Sequence, residues 1–215
     1  MENNLTKKDY FKIFLLYGAV IATIPIIITE ITWDIIYKAI GPQNTLIKEL
    51  IESFFRAALL EEFFKYIGFR MADKKYNFKT EREFMIGAGM IGLAYAVIEK
   101  LVTGNAIAII LGILFPMHIL WQMNQGKHFY AYKKAQEAGD NKKAQYEFLQ
   151  STLAIFLFHG CWDALISLSS SMISNPTIEI AEPIGAIMII AVLVIGVIYT
   201  IKTIKYFIST KKQIS

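Results

Sequence analysis

Two adjacent glutamates and a lysine interrupt a long apolar run, and this charged cluster constrains the fold more than any other feature of the sequence. Residues 58–70 read ALLEEFFKYIGFR, which places Glu61, Glu62 and Lys65 among apolar side chains in a helical pattern. In a bilayer each charge costs a few kcal/mol or more, so an ionisable cluster there indicates a functional site. The interpretation of the cluster therefore depends on whether the run lies in a membrane.

The composition favours a membrane protein. Hydrophobic residues make up 55% of the 215 residues and the mean hydropathy is +0.43, whereas soluble domains contain roughly 45–50% apolar residues. Lys7, Lys8 and Lys12 precede a first apolar run that has no obvious cleavage site, which predicts an uncleaved membrane helix. The single cysteine, Cys161, excludes an intrachain disulfide and a cysteine-based metal site.

Six segments are long and apolar enough to form transmembrane helices, which need roughly 20 residues each. A mixed stretch at 31–43 predicts a loop or a short interfacial helix, and the polar stretch at 125–146 predicts a cytoplasmic helical hairpin. We therefore expect an all-α, polytopic membrane helical bundle of about six transmembrane helices, forming one integral membrane domain over 1–215 with a catalytic core at about 44–170. The predicted spans are 10–30, 44–72, 84–102, 106–124, 147–170 and 184–207.

Basic residues concentrate in four regions: the start of the chain, the loop after span two, the loop after span four and the end of the chain. Six spans place all four regions on one side, which the positive-inside rule assigns to the cytoplasm. We therefore predict a multi-pass protein of the cell membrane with both termini cytoplasmic. The net charge of +4 then reflects topology, and the expected partner is the lipid bilayer, with no role for nucleic acid.

Few ionisable residues remain inside the predicted spans, and helical spacing groups them into pairs. Glu61 and Lys65 are four residues apart, as are His159 and Asp163, so each pair shares one helix face. Lys65 is the local counter-charge that allows two adjacent carboxylates to coexist. The complete set is Glu61, Glu62, Lys65, Glu99, Lys100, His118, His159 and Asp163.

Histidines and carboxylates on separate helices can assemble a site for an activated water. A carboxylate would act as the general base, and the histidines would either hold a metal or stabilise an oxyanion without one. No HExxH motif is present, so the residues leave the metal open. Structural roles also fit single members: His118 as a helix–helix hydrogen bond, Glu99 and Lys100 as an interfacial pair, and Glu61 with Lys65 as an ion pair.

Four motifs in order resemble the PrsW-type intramembrane proteases, which are grouped with the CAAX-processing and bacteriocin-immunity proteins. EEFFK at 61–65 resembles the EExxK signature, AYAVIEK at 94–100 the second motif, PMHILWQMNQG at 116–126 the third, and HGCWD at 159–163 the HxxxD motif. The resemblance implies a helical membrane fold and an endopeptidase that cleaves membrane-anchored proteins such as anti-sigma factors. One departure is Lys100, where the family motif has Asn.

The resemblance also implies roles for individual residues. Glu61 and Glu62 would activate the water, with Glu61 favoured as the base because Lys65 lies at i+4 and can tune it. The cofactor is left open between none and a divalent metal such as zinc. The implied catalytic residues are Glu61, Glu62, His118 and His159, the supporting residues Lys65, Glu99 and Asp163, and the ligands of any metal His118, His159 and Glu99.

Two other functions remain open. Buried carboxylates, histidines and lysines also suit a proton or ion pathway, or an immunity or scaffold protein that keeps the motifs without catalysis. An enzyme of the CAAX type would act on lipidated substrates, but the sequence has EExxK where those relatives have EExxxR.

Overall fold

The computed structural model describes residues 5–40, 50–103, 116–174 and 181–211, and every regular element in these ranges is helical. The prediction of an all-α fold is therefore confirmed for the described part of the chain. The helices, numbered here in chain order, are α1 at 7–40, α2 at 50–76, α3 at Glu81–Thr103, α4 at Met117–Glu137, α5 at 141–174 and α6 at Ala181–Lys211.

Four described segments are long and apolar enough to cross a membrane: Lys7–Ile28, Glu81–Val102, Asn141–Ser170 and Pro183–Thr210. They correspond to the predicted spans one, three, five and six. The described part of predicted span two is α2, whose charged residues keep it out of this set. Residues 41–49 and 104–115, which hold the start of span two and most of span four, lie outside the described residues. The count of six spans thus stays a prediction.

Helix α1 corrects the prediction for residues 31–43. The structure continues this helix through Val20–Ile40, where the sequence suggested a loop or a separate interfacial helix. The scattered polar side chains prompted that prediction, but no glycine or proline interrupts residues 26–40, so nothing in the backbone chemistry ends the helix. Residues 41–43 of the predicted loop lie outside the described part of the chain.

The connections from α2 to α3 and from α4 to α5 are short and locally determined. Helix α2 ends at Asn77, which adopts the left-handed conformation with φ of 52°, a position that asparagine tolerates. Helices α4 and α5 meet at a turn in which Gly139 has φ of 72° and the Asp140 carboxylate accepts a hydrogen bond from the Lys143 amide. This turn lies within the predicted hairpin at 125–146, whose cytoplasmic location stays a prediction.

Among the described residues, three helices contain a π-helical stretch, at Ile13–Ala19 in α1, Glu52–Leu60 in α2 and Gln150–Ala154 in α5. A π-helical turn re-aims the side chains that follow it and often accompanies a functional site. In α2 the stretch ends immediately before Glu61, and in α5 it immediately precedes the segment that carries His159.

Small residues allow α3 and α4 to pack closely. A Cβ atom at Gly92 would collide with the backbone oxygen of His118, and one at Gly126 would collide with that of Phe84. Close backbone approach of this kind is how helices associate in lipid. It brings the face of α3 that carries Glu99 against the start of α4.

One end of the bundle contains an aromatic cluster, defined here as Phe69, Phe78, Phe84 and Phe129, all at most 3% exposed. Leu5 and Tyr10 at the start of the chain pack against this cluster. The end of α6 joins the same region, because the Tyr206 hydroxyl donates a hydrogen bond to Glu81 at 2.5 Å and Arg82 lies over the Phe207 ring. The chain segments rich in basic residues therefore meet at this end.

Candidate active site

Lys65 lies at the centre of a buried polar network about one helical turn from the aromatic cluster. Its Nζ donates to Glu62 Oε1 at 2.8 Å and to Glu61 Oε2 at 3.2 Å. The same ammonium is 3.1 Å from Nδ1 of His118 and 4.1 Å from the centre of the Tyr95 ring. Lys65 is 1% exposed, so these contacts take the place of water around its charge.

His118 connects Lys65 to Glu99. An ammonium can only donate, so the contact with Lys65 requires Nδ1 of His118 to accept. Nε2 then carries the proton and donates to Glu99 Oε2 at 2.9 Å, which fixes the tautomer and the ring orientation. The other oxygen of Glu99 accepts a hydrogen bond from Lys100 at 3.0 Å. Glu99 and Lys100 thus form the pair that the sequence suggested, and the Glu99 carboxylate also contacts His118 on α4.

His159 lies between two carboxylates. Its Nδ1 is 2.8 Å from Glu62 Oε1 and its Nε2 is 3.1 Å from Asp163 Oδ2, which is the i, i+4 contact that the spacing indicated. The second oxygen of Glu62 accepts a hydrogen bond from Gln122 Nε2 at 2.6 Å. Both Glu62 oxygens are therefore engaged, by Lys65, His159 and Gln122.

Aromatic rings enclose the two imidazoles. The Trp121 ring centre is 4.5 Å from that of His159 and 5.6 Å from that of His118, and the two imidazole centres are 5.2 Å apart. Tyr95 also packs against His118, with ring centres 5.7 Å apart. This apolar wall lowers the local dielectric constant and strengthens each charge interaction inside it.

Two polar side chains at this site, Gln122 and Tyr95, were absent from the predicted set. Gln122 follows His118 by four residues and Tyr95 precedes Glu99 by four, so helical spacing places each on the face of a predicted site residue. Neither side chain is charged or an imidazole, so neither belongs to the set of charged residues and histidines in the spans. The remaining histidine, His128, lies outside the network and contacts Glu147 Oε2 at 2.7 Å.

Three side chains from three helices have the composition and spacing of a metal site. Ligand atoms of Glu61, His118 and His159 lie within 4.8 Å of one another. Two imidazoles and a carboxylate are a donor set that suits catalytic zinc. The predicted set had Glu99 in place of Glu61. In the structure Glu99 instead accepts a hydrogen bond from His118, the position of a residue that orients a ligand.

A cleft of about 270 Å³ opens between α2 and α5 and reaches Glu62. Its walls are mainly apolar, and both π-helical stretches contribute to it: Leu59 comes from that of α2, Thr152 and Leu153 from that of α5. One edge of the charged network, at Glu62, therefore lies next to a mainly apolar cleft. Its lining is completed by Phe63, Tyr66, Gln125 and Phe156.

The chain matches the model of the PrsW family intramembrane metalloproteases over residues 8–199. That range contains all four sequence motifs and every residue of the network. No curated protein and no solved structure matches the chain.

Proposed function

The chain belongs to the PrsW family of intramembrane metalloproteases and is a membrane-embedded peptidase, and we propose that it cleaves membrane-anchored proteins, such as an anti-sigma factor, with a water activated by Glu61. The observation that carries this proposal is the convergence of Glu61, His118 and His159 from three helices to within 4.8 Å. A carboxylate and two imidazoles at that separation can contact one water molecule together.

The two glutamates differ in their contacts, and this difference supports Glu61 as the base. Glu62 is 5% exposed and has both oxygens held by neighbouring side chains. Glu61 is 15% exposed and belongs to the cluster with the two histidines. A general base must reach the proton that it removes, so Glu61 is the better placed carboxylate and Glu62 is the anchor that orients Lys65 and His159.

In the proposed reaction, Glu61 accepts a proton from the water while the water oxygen bonds to the carbonyl carbon of the substrate. His118 and His159 hold and polarise the water beside Glu61. The C–N bond then breaks, and the departing amine takes the proton that Glu61 accepted. In this metal-free reaction Lys65 holds Glu61 in place. Atoms and charge balance without an additional reactant.

The family description calls these proteins metalloproteases, and the donor chemistry at this site fits a divalent metal. Glu61, His118 and His159 would hold it, with Glu61 then a ligand in place of the base. Glu99 would orient His118 through Nε2, and Asp163 would orient His159 through Nε2 once its Nδ1 leaves Glu62. A metal bound there would supply Lewis-acid activation of the water. In that arrangement Glu99 would accept a hydrogen bond from Nε2 of His118 and would not be a metal ligand.

The apolar cleft supports a substrate that approaches within the bilayer. A membrane-anchored segment presents apolar side chains, and the cleft beside Glu62 is lined by such side chains on α2 and α5. We place the chain in the cell membrane as one domain of six spans over 1–215, with the catalytic core at about 44–170. The gathering of the basic segments at one end of the bundle supports a cytoplasmic location for that end and for both termini.

The direct test is proteolysis of a membrane-anchored substrate by the purified protein in proteoliposomes. We expect Glu61→Gln and His159→Ala each to abolish cleavage, because one removes the base and the other a group that holds the water. Glu137→Gln, an exposed carboxylate outside the network, is the matched control and should cleave like wild type. Full cleavage by both site variants would refute the proposal.

A second candidate function rests on the continuity of the network. Hydrogen-bonded or ion-paired groups connect Asp163, His159, Glu62, Lys65, His118 and Glu99 without interruption across four helices. Such chains can conduct protons in membrane proteins. This function would be favoured over hydrolysis if the protein conducts protons into liposomes without cleaving a substrate, and if the proton flux disappears in Glu62→Gln.

A further inference from the structure

Lys65 lies where a cation would bind between two members of the candidate metal site. Its Nζ is 3.2 Å from Glu61 Oε2 and 3.1 Å from His118 Nδ1, and both residues belong to the donor set. The side chain is 1% exposed, so the ammonium is a buried part of the site. Two of the three donors therefore already face a positive charge supplied by the chain itself.

The tautomer of His118 fixes the direction from which a metal can approach. Nε2 carries the proton that is donated to Glu99, so Nδ1 holds the lone pair, and that lone pair points at the Lys65 ammonium. A zinc ion requires the same lone pair and a nitrogen distance of about 2.0–2.1 Å. The ion would thus have to enter from the side that the Lys65 Nζ occupies.

Lys65 also compensates the negative charge of the two adjacent carboxylates. One ammonium contacts both adjacent carboxylates, Glu61 at 3.2 Å and Glu62 at 2.8 Å, and its charge rests over the Tyr95 ring. A divalent ion placed among the same donors would be repelled by an ammonium at this range. Departure of the ammonium would remove that repulsion and release Glu61 and His118 at once.

We infer that the Lys65 ammonium and a divalent cation compete for one position, so that a metal enters only when Lys65 leaves Glu61 and His118. The inference rests on the proposed function in taking Glu61, His118 and His159 as the reaction centre. Lys65 then sets the metal affinity of the enzyme. It also keeps the metal-free protein folded, because the buried carboxylates retain a counter-charge.

The test is zinc binding to the purified full-length protein in lipid nanodiscs, measured by isothermal titration calorimetry. Lys65→Met keeps an unbranched side chain of nearly the same length and removes the competing charge, so we expect zinc to bind at least roughly tenfold tighter, equivalent to about 1.4 kcal/mol. The matched control is Lys133→Met. Lys133 is also paired with a carboxylate, Asp73 at 3.1 Å, and lies over an aromatic ring, that of Phe84 at 4.9 Å. It should leave zinc affinity unchanged.

Equal or weaker zinc binding by Lys65→Met than by wild type would overturn the inference, as would the absence of zinc binding from both proteins. Neither result depends on proteolysis, so the cleavage test of Glu61→Gln fails or succeeds separately.

A second measurement uses the wild-type protein and tests the inference even where Lys65→Met does not fold. In wild type, saturating zinc should increase acylation of Lys65 by a membrane-permeant amine reagent several-fold by mass spectrometry, with Lys133 unchanged. Zinc binding with unchanged Lys65 acylation would also overturn the inference.

Discussion

The aromatic cluster and the charge network are neighbouring layers of one bundle, built on the same helices by opposite means. On α2, Phe69 follows Lys65 by four residues, and both are buried, at 0% and 1% exposed. Around Phe69 the contacts are ring edges and faces, with centres 5.5–6.1 Å apart. Around Lys65 they are directed contacts between charged or polar atoms at 2.8–3.2 Å.

We interpret this difference as one between residues that hold the bundle together and residues that serve the proposed chemistry. Apolar burial stabilises by roughly 25 cal/mol per Å² with little dependence on direction, so an aromatic layer serves packing directly. Buried ion pairs are weak evidence for stability, because apolar replacements of similar volume are often neutral or stabilising. A network that links eight charged or imidazole side chains on four helices therefore supports a functional role. The aromatic layer provides the frame in which that network keeps its geometry.

The largest expected effect comes from breaking the aromatic layer. Phe69→Ala should lower the free energy of unfolding by about 3–5 kcal/mol, because it removes a fully buried ring from a packed cluster. The rate of cleavage per folded molecule should stay at the wild-type value. Reversible unfolding in mixed micelles together with active-site-normalised cleavage would measure both quantities. A large loss of rate with unchanged stability would show that the two layers are not separable.

In the charge network we expect the opposite result, a lower cleavage rate with little change in stability. Asp163→Asn keeps a hydrogen-bond acceptor for Nε2 of His159 but removes the charge, and should lower the cleavage rate roughly 10- to 100-fold. Stability should change little, since Asp163 is 33% exposed. The matched control is Asp73→Asn, a carboxylate that pairs with Lys133 beside the aromatic cluster and should not affect cleavage. Equal losses of rate in both variants would contradict this assignment.

A smaller effect should come from the apolar cleft, which borders the network without belonging to either layer. Leu153→Trp would fill part of the cleft and should raise KM roughly tenfold, as a change in pocket fit does, with kcat nearly unchanged. Ile187→Trp on α6, at a site 66% exposed, is the control for added aromatic bulk. Wild-type KM in Leu153→Trp would place the substrate elsewhere.

The smallest effect is expected at an exposed ion pair. Lys134 donates a hydrogen bond to Glu137 at 2.6 Å, and this hydrogen bond lowers the pKa of the Glu137 carboxyl. The pair's contribution to stability is therefore present above the ordinary glutamate pKa and is lost as the pH falls through the lowered value. Glu137→Gln should reduce thermal stability slightly at pH 7 and not in acid. A loss as large as that of Phe69→Ala would contradict the comparison.

Local periodicity predicted what lies along one helix. The contacts of Glu61 with Lys65 and of His159 with Asp163 are both i, i+4 pairs, which any helix places together whatever its surroundings. The helical class and four of the apolar spans follow from the same local pattern. Helix ends were less predictable: α1 passes through residues 31–40 because scattered polar side chains do not by themselves end a helix.

The sequence alone thus determined that a charged cluster would lie in an apolar helical bundle and which local partners its members would have. Only the tertiary structure decided that His159 contacts Glu62, that His118 connects Lys65 to Glu99, and that Gln122 occupies the second oxygen of Glu62. These contacts join residues 19 to 97 positions apart. They depend on how closely the helices approach, at Gly92 for example, and such packing is a property of pairs of helices that no single helix encodes.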